Sequence, residues 1–232
     1  MSAVFKREFK SFFTSPVGYV CVAALTALYG FFFYQVMVMG STSYIGSVYY
    51  TIFTYGMMIV PILTMRTFSE DRKNKTDQAL LTAPVNVSGI VMGKFFSAFA
   101  IYAIATLMGL LPALALSAFA VLPWGIIIGN IIGTLLYGGA MISIGVFISS
   151  LTVSQVIAAL GTFAVSLMLL FIENLASSSG IVGTVVKWIS FTSRYNTFTQ
   201  GLFDITSCVY FLSIMAIFCF LTMRKIESRR WN

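Results

Sequence analysis

Polar and apolar positions in this chain come in long blocks rather than alternating. No charged residue occurs between Lys10 and Arg66, an interval of 55 residues, or between Lys94 and Glu173, an interval of 78. A third uncharged run covers 205–223. A helix needs about 20 apolar residues to cross the hydrocarbon of a bilayer. The first interval therefore holds two spans, the second three and the last one. Breaks fall at Gly40-Ser41-Thr42-Ser43, Pro123-Trp124-Gly125 and Ser149-Ser150-Leu151-Thr152, all clusters of turn formers. The predicted spans are 17–38, 45–65, 95–117, 126–149, 154–172 and 206–223. A membrane β-barrel is the poorer alternative, because its strands show segments of about 10 alternating residues. Continuous apolar runs suit helices, which satisfy every backbone group within the span.

Three stretches are not spans. Residues 2–15 predict a helix lying in the membrane interface. Phe5, Phe9, Phe12 and Phe13 share one face, while Lys6, Arg7 and Lys10 lie on the other, among headgroups. The loop 66–94 begins with a dense mixed-charge run, Ser69-Glu70-Asp71-Arg72-Lys73. It then predicts a short helix that Thr76 caps, with Asp77 in its first turn and Pro84 as its stop. That helix presents Leu80 and Leu81, either to a docking partner or to the end of the bundle itself. Asn86 or Ser88 starts the next helix, which runs through Lys94 into the third span. The connection 173–205 is longer than ordinary helix connections. It predicts an external helical pair, one piece over 181–189 and one from about Tyr195 to Phe203. Within the spans, Gly125, Gly129 and Gly133 recur every fourth residue and mark a face for close helix packing. Pro61 and Pro112 predict kinks.

Composition sharpens this picture. Hydrophobic residues make up 59% of the chain and charged residues 9%, with a mean hydropathy of +0.93. A soluble domain carries about 25% charge, so a soluble fold is excluded, and the hydrophobicity excludes disorder. The fold class is all-α integral membrane, with six transmembrane helices. The net charge of +7 is explained by its placement. Lys6, Arg7, Lys10, Arg66, Arg72, Lys73, Lys75, Lys94, Arg224, Lys225, Arg229 and Arg230 fall on one side, and only Lys187 and Arg194 on the other. The excess of Lys and Arg on one side predicts that both termini and the 66–94 loop are cytoplasmic. The positive charge then meets anionic lipid and cytoplasmic partners, not nucleic acid. The basic, apolar N-terminus lacks a short signal-peptide core with a cleavage site, and it is expected to be retained. Asn86-Val87-Ser88 matches the glycosylation sequon but falls on the cytoplasmic side.

The chemistry that is missing narrows the function. There is no His, and Cys21, Cys208 and Cys219 sit singly in apolar stretches. No HExxH, GxSxG or paired carboxylate within a span supports catalysis, so no catalytic, cofactor or metal residue is assigned. No span carries a central charge of the kind that ion-coupled carriers and pumps use. No filter sequence suggests a channel. No GxxxxGK[ST] is present, so the chain does not bind ATP through a P-loop. A membrane scaffold that receives its energy from another protein remains, with the 66–94 loop as the place where it is driven.

At this point the residues resemble a known family, the permease subunits of ABC-2-type ATP-binding-cassette transporters. The likeness covers nearly the whole chain, as a single transmembrane domain over 1–232. It is closest to the short bacterial branch that includes gliding-motility-associated permeases. The opening Phe5-Lys6-Arg7-Glu8-Phe9-Lys10 through Pro16-Val17-Gly18-Tyr19 resembles the family's interfacial helix. Pro61-Ile62-Leu63-Thr64-Met65-Arg66, Ser69-Glu70-Asp71-Arg72 and Thr76-Asp77-Gln78-Ala79-Leu80-Leu81-Thr82-Ala83-Pro84-Val85 resemble its coupling segment. Gly93-Lys94-Phe95, Tyr195 to Asp204 and Glu227-Ser228-Arg229-Arg230-Trp231 resemble later signatures. Asp77-Gln78 departs from the Thr-Leu-Glu-like run of many members. The resemblance implies a permease in the bacterial inner membrane, working with a second permease copy or paralogue and a cytoplasmic ATPase dimer. ATP and magnesium belong to that ATPase. An accessory membrane or extracytoplasmic subunit fits the same picture. Glu70, Asp77, Leu80, Leu81 and Pro84 are the implied docking residues. The alternative is a membrane anchor or signalling element of a larger machine, with the same fold and no substrate flux.

Overall fold

Pro16 at the first helical position and Gly40 just past the last illustrate how the first long helix is bounded. Proline lacks an N–H that a helix start leaves unused anyway. Gly40 ends the helix in the left-handed conformation, φ +63°, and its N–H bonds back to Val36 and Met37. The computed structural model describes residues 1–77, 86–176, 186 and 188–230. In order, the helices are α1 (Ser2–Thr14), α2 (Pro16–Met39), α3 (Ile45–Thr64), α4 (Ser69–Lys73), α5 (Val87–Met108), α6 (Leu110–Ser117), α7 (Trp124–Leu151), α8 (Gln155–Ala176), α9 (Phe191–Thr199) and α10 (Ile205–Arg230). The described residues contain no strand, and six helices are long and apolar enough to cross a membrane.

Local chemistry sets the boundaries. The third predicted span is two helices, α5 and α6, that meet at Gly109. Pro112 cannot donate to the carbonyl four residues back, which loosens the ladder there. The Tyr29 ring lies against Gly109, where a Cβ would come within 2.5 Å of it. Asp204 caps α10, accepting from the N–H of Thr206 (3.0 Å) and Ser207 (3.1 Å) and from the Ser207 hydroxyl (2.7 Å). The Ser207 hydroxyl leads these bonds in holding the Asp204 carboxyl below the usual carboxylate range.

The external segment differs from the expected one. The piece over 181–189 lies largely outside the described residues. The second helix begins four residues earlier than Tyr195, because Ser190 caps it through the Ser193 N–H at 3.1 Å. It ends before Gly201, whose φ of +75° turns the chain and leaves Leu202 and Phe203 exposed.

Burial is uneven across the bundle. In its most apolar stretch α7 has 72% of its residues buried, against 28%, 17% and 22% for α2, α8 and α10. The helix α7 is therefore the central pillar, and it packs on α3, α5, α8, α9 and α10. Its Gly138 admits the Tyr102 ring of α5 so closely that a Cβ would overlap it. The core has two parts. One gathers Tyr29, Phe33, Tyr49 and Ile52 with Ala113 and Ile127. The other runs from Phe53 through Tyr102, Tyr137 and Phe211 to Phe12, Phe68 and Ile226 at the charged end. The helix α9 is sunk into this second core. Tyr195 stacks on Phe53 at 4.2 Å, and its hydroxyl hydrogen-bonds Thr134 at 2.9 Å.

Candidate functional site: a clasped segment at the charged end

The segment after α3 cannot continue as a spanning helix, because Arg66, Glu70, Asp71, Arg72 and Lys73 follow within two turns. It folds back as α4 and then turns again at Lys75, a non-glycine residue with φ +57°. The Thr76 hydroxyl bonds Asp71 across that turn (2.8 Å to Oδ1).

Lys94 lies under this segment. It is eight residues into α5, only 1% exposed, and its ammonium has three donors. Three acceptors surround Nζ: Asp71 Oδ2 at 2.6 Å, Glu8 Oε1 at 3.0 Å and the Thr67 carbonyl at 2.5 Å. The Phe68 ring lies 5.1 Å away. One buried cation thus joins α1, the 66–77 segment and α5. Arg7 adds an outer layer, bonding Glu8 at 2.5 Å and standing 3.6 Å from Asp71. Burial alone would raise the Asp71 carboxyl. The Lys94 charge and hydrogen bond, with Thr76 and Arg7, outweigh that and hold it below the usual range.

Arg66 forms a second tie. Its guanidinium grips Glu70 through two bonds, at 2.6 and 3.0 Å, and bonds Ser15 and Ser11 of the α1–α2 corner. It also lies over the Phe12 ring, 5.9 Å from the centroid. On the far side, Arg229 of α10 donates to the Ser150 carbonyl at 2.6 Å. Asp77 lines a crevice there with Arg72, Ile90, Ile226 and Arg229.

The structure distributes the residues singled out in the sequence as follows. Phe5, Phe9 and Phe13 form a half-exposed ladder, with ring centroids 5.7 and 5.2 Å apart, and Lys6 and Lys10 are exposed. Phe12 leaves that ladder and is buried beside Arg66. Val4 is buried too, against Gly93 of α5. Glu70 is partly exposed and Asp77 half-buried, whereas Leu80, Leu81 and Pro84 lie outside the described residues. Of the glycine series, Gly133 meets the Phe198 ring, where a Cβ would come within 2.8 Å. Gly129 is in ordinary contact with the Phe198 carbonyl and Gly201, and Gly125 has nothing within 4 Å.

Sequence reasoning did not assign Glu8 or Lys94 a joint role. The available signal was position: a lysine two turns inside an apolar helix needs partners, and Glu8 and Asp71 are two of the few carboxylates on its side.

Six apolar helices, with a charged segment clasped to one end of the bundle, define a multi-pass membrane protein. A family model described as an ABC-2 family transporter protein matches residues 2–223. The chain belongs to that family and is a permease subunit of an ABC transporter. No curated protein matches it.

Proposed function

We propose that this permease is driven by a separate cytoplasmic ATPase that docks on the 66–94 segment, and that it works as an exporter. The observation that carries the reading is the clasp around Lys94. The segment is joined through buried charge to α1 and α5, so a force applied to it displaces helices rather than a loose loop. In this reading the charged end faces the cytoplasm of a bacterial inner membrane, with both termini on that side. Two permeases, identical or paralogous, pair with two ATPase subunits, and those subunits hold ATP and magnesium.

Glu70, Asp77, Leu80, Leu81 and Pro84 form the docking surface. Replacing Leu80→Asp together with Leu81→Asp is expected to abolish co-purification of the ATPase and to lower its ATP turnover in the complex. Unchanged co-purification and turnover would refute the docking assignment. The purified permease alone is expected to hydrolyse no ATP. Flux of cargo into or out of reconstituted vesicles that depends on the ATPase separates a transporter from an anchor or signalling element.

A further inference from the structure

The start of α4 poses a hydrogen-bonding problem that its own sequence does not solve. The first N–H groups of a helix lack partners within it. The residue at the cap position is Phe68, which offers no side-chain oxygen. The oxygen comes instead from Ser149, about 80 residues away in the last turn of α7. Its Oγ accepts from the N–H of Phe68 and of Ser69, both at 3.1 Å, and donates to the Met65 carbonyl, also at 3.1 Å. A serine hydroxyl has one donor and two acceptor sites, and Ser149 commits all of them to one bend of backbone while fully buried. One turn earlier on α7, Gly145 presses on Thr64, where a Cβ would overlap the threonine side chain. Two consecutive turns of α7 therefore grip the end of α3 and the start of α4. The Thr67–Phe68 peptide is held from both sides, its carbonyl accepting from Lys94 and its N–H donating to Ser149.

We propose that Ser149 is a positioning residue for the coupling segment, the joint through which displacement of α4 is delivered to the central pillar α7. The assignment rests on the reading that the 66–94 segment receives the ATPase's push. Because α7 packs on α3, α5, α8, α9 and α10, a joint at its end reaches five helices directly.

The test begins with amide hydrogen exchange at residue resolution on the full chain in lipid nanodiscs. In S149A, exchange at Phe68 and Ser69 is expected to rise about tenfold or more. S149T keeps the oxygen and is expected to retain most of the protection. G133A, which crowds Phe198 far from Ser149 along α7, serves as the control. It is expected to lower thermal stability without selectively exposing those two amides. Exchange in S149A within twofold of wild type, equal acceleration in S149T, or the same acceleration in G133A overturns the joint.

The functional arm measures ATP turnover of the permease–ATPase complex. S149A is expected to retain the ATPase in wild-type amounts while lowering turnover, and unchanged turnover overturns the positioning role. If wild-type permease retains no ATPase, the docking reading fails, and the exchange result still decides whether Ser149 holds α4.

Discussion

Lys94→Met is the most informative single change, because it removes the charge and nearly preserves the shape. At an effective dielectric of about 20, unit charges 2.6 and 3.0 Å apart attract by roughly 6 kcal/mol per pair, before desolvation is subtracted. Removing one partner of a buried ion pair costs about 3–5 kcal/mol, largely because the remaining charges stay buried without compensation. Here Asp71 and Glu8 would be left facing the same point. Arg7 is half exposed and already touches both, so the lower end of that range is expected. For a chain of this size about 1 kcal/mol moves the midpoint by about 2–4 °C, so apparent Tm should fall by about 6–12 °C. The assay is thermal unfolding in nanodiscs, followed by tryptophan fluorescence at a fixed scan rate. Adding Asp71→Asn relieves the carboxylate repulsion, so the double variant should be less destabilised than the sum of the singles by about 1–3 kcal/mol. A shift under about 2 °C for Lys94→Met, or strict additivity in the double variant, would refute the view that Lys94 clasps three segments.

Three further outcomes are expected. The folded-state carboxyl of Asp71 is lowered, so the stability it contributes is present above its unfolded value of about 4 and is lost as pH falls through the lower folded value. A wild-type Tm that stays flat through that acid window would contradict this. Gly138→Ala forces the Tyr102 ring to move and should cost about 1–3 kcal/mol, whereas Gly125→Ala meets open space and should be near neutral, with paired melting curves as the check. Tyr195→Phe leaves the buried Thr134 hydroxyl without its cross-helix partner and should cost about 1–3 kcal/mol. Adding Thr134→Val should restore most of it, and a double variant worse than Tyr195→Phe alone would show that the bond does not anchor α9.

The spans were legible because a bilayer imposes one length on every crossing. The interval from Lys10 to Arg66 has room for two helices, and α2 and α3 occupy it. The phenylalanine stripe of α1 was legible in its spacing, apart from Phe12, which turns into the core beside Arg66, more than 50 residues away. Long-range pairing was the part the pattern could not carry. Ser149 reads as a turn former between the fourth and fifth spans, and nothing near it in sequence indicates that its hydroxyl is needed by Phe68 and Ser69. Lys94 reads as a basic flank, because its acceptors at positions 8, 67 and 71 meet only when three segments fold together. The early start of α9 follows from Ser190, an ordinary serine until the Ser193 N–H is placed beside it.

The clasp also orders events in time. During synthesis α1 emerges ahead of its partners: Glu8 and the serines at its end are made well before Arg66 and Lys94. At about 5–20 residues per second, Lys94 is added roughly 4–17 seconds after Glu8. Until each partner is made, neither the Glu8–Lys94 ion pair nor the bond from Arg66 to Ser15 can form. The ion pairs that join it to the 66–77 segment and α5 form only once Asp71 and Lys94 have been made. The helix α1 is thus made well before the residues that fix it.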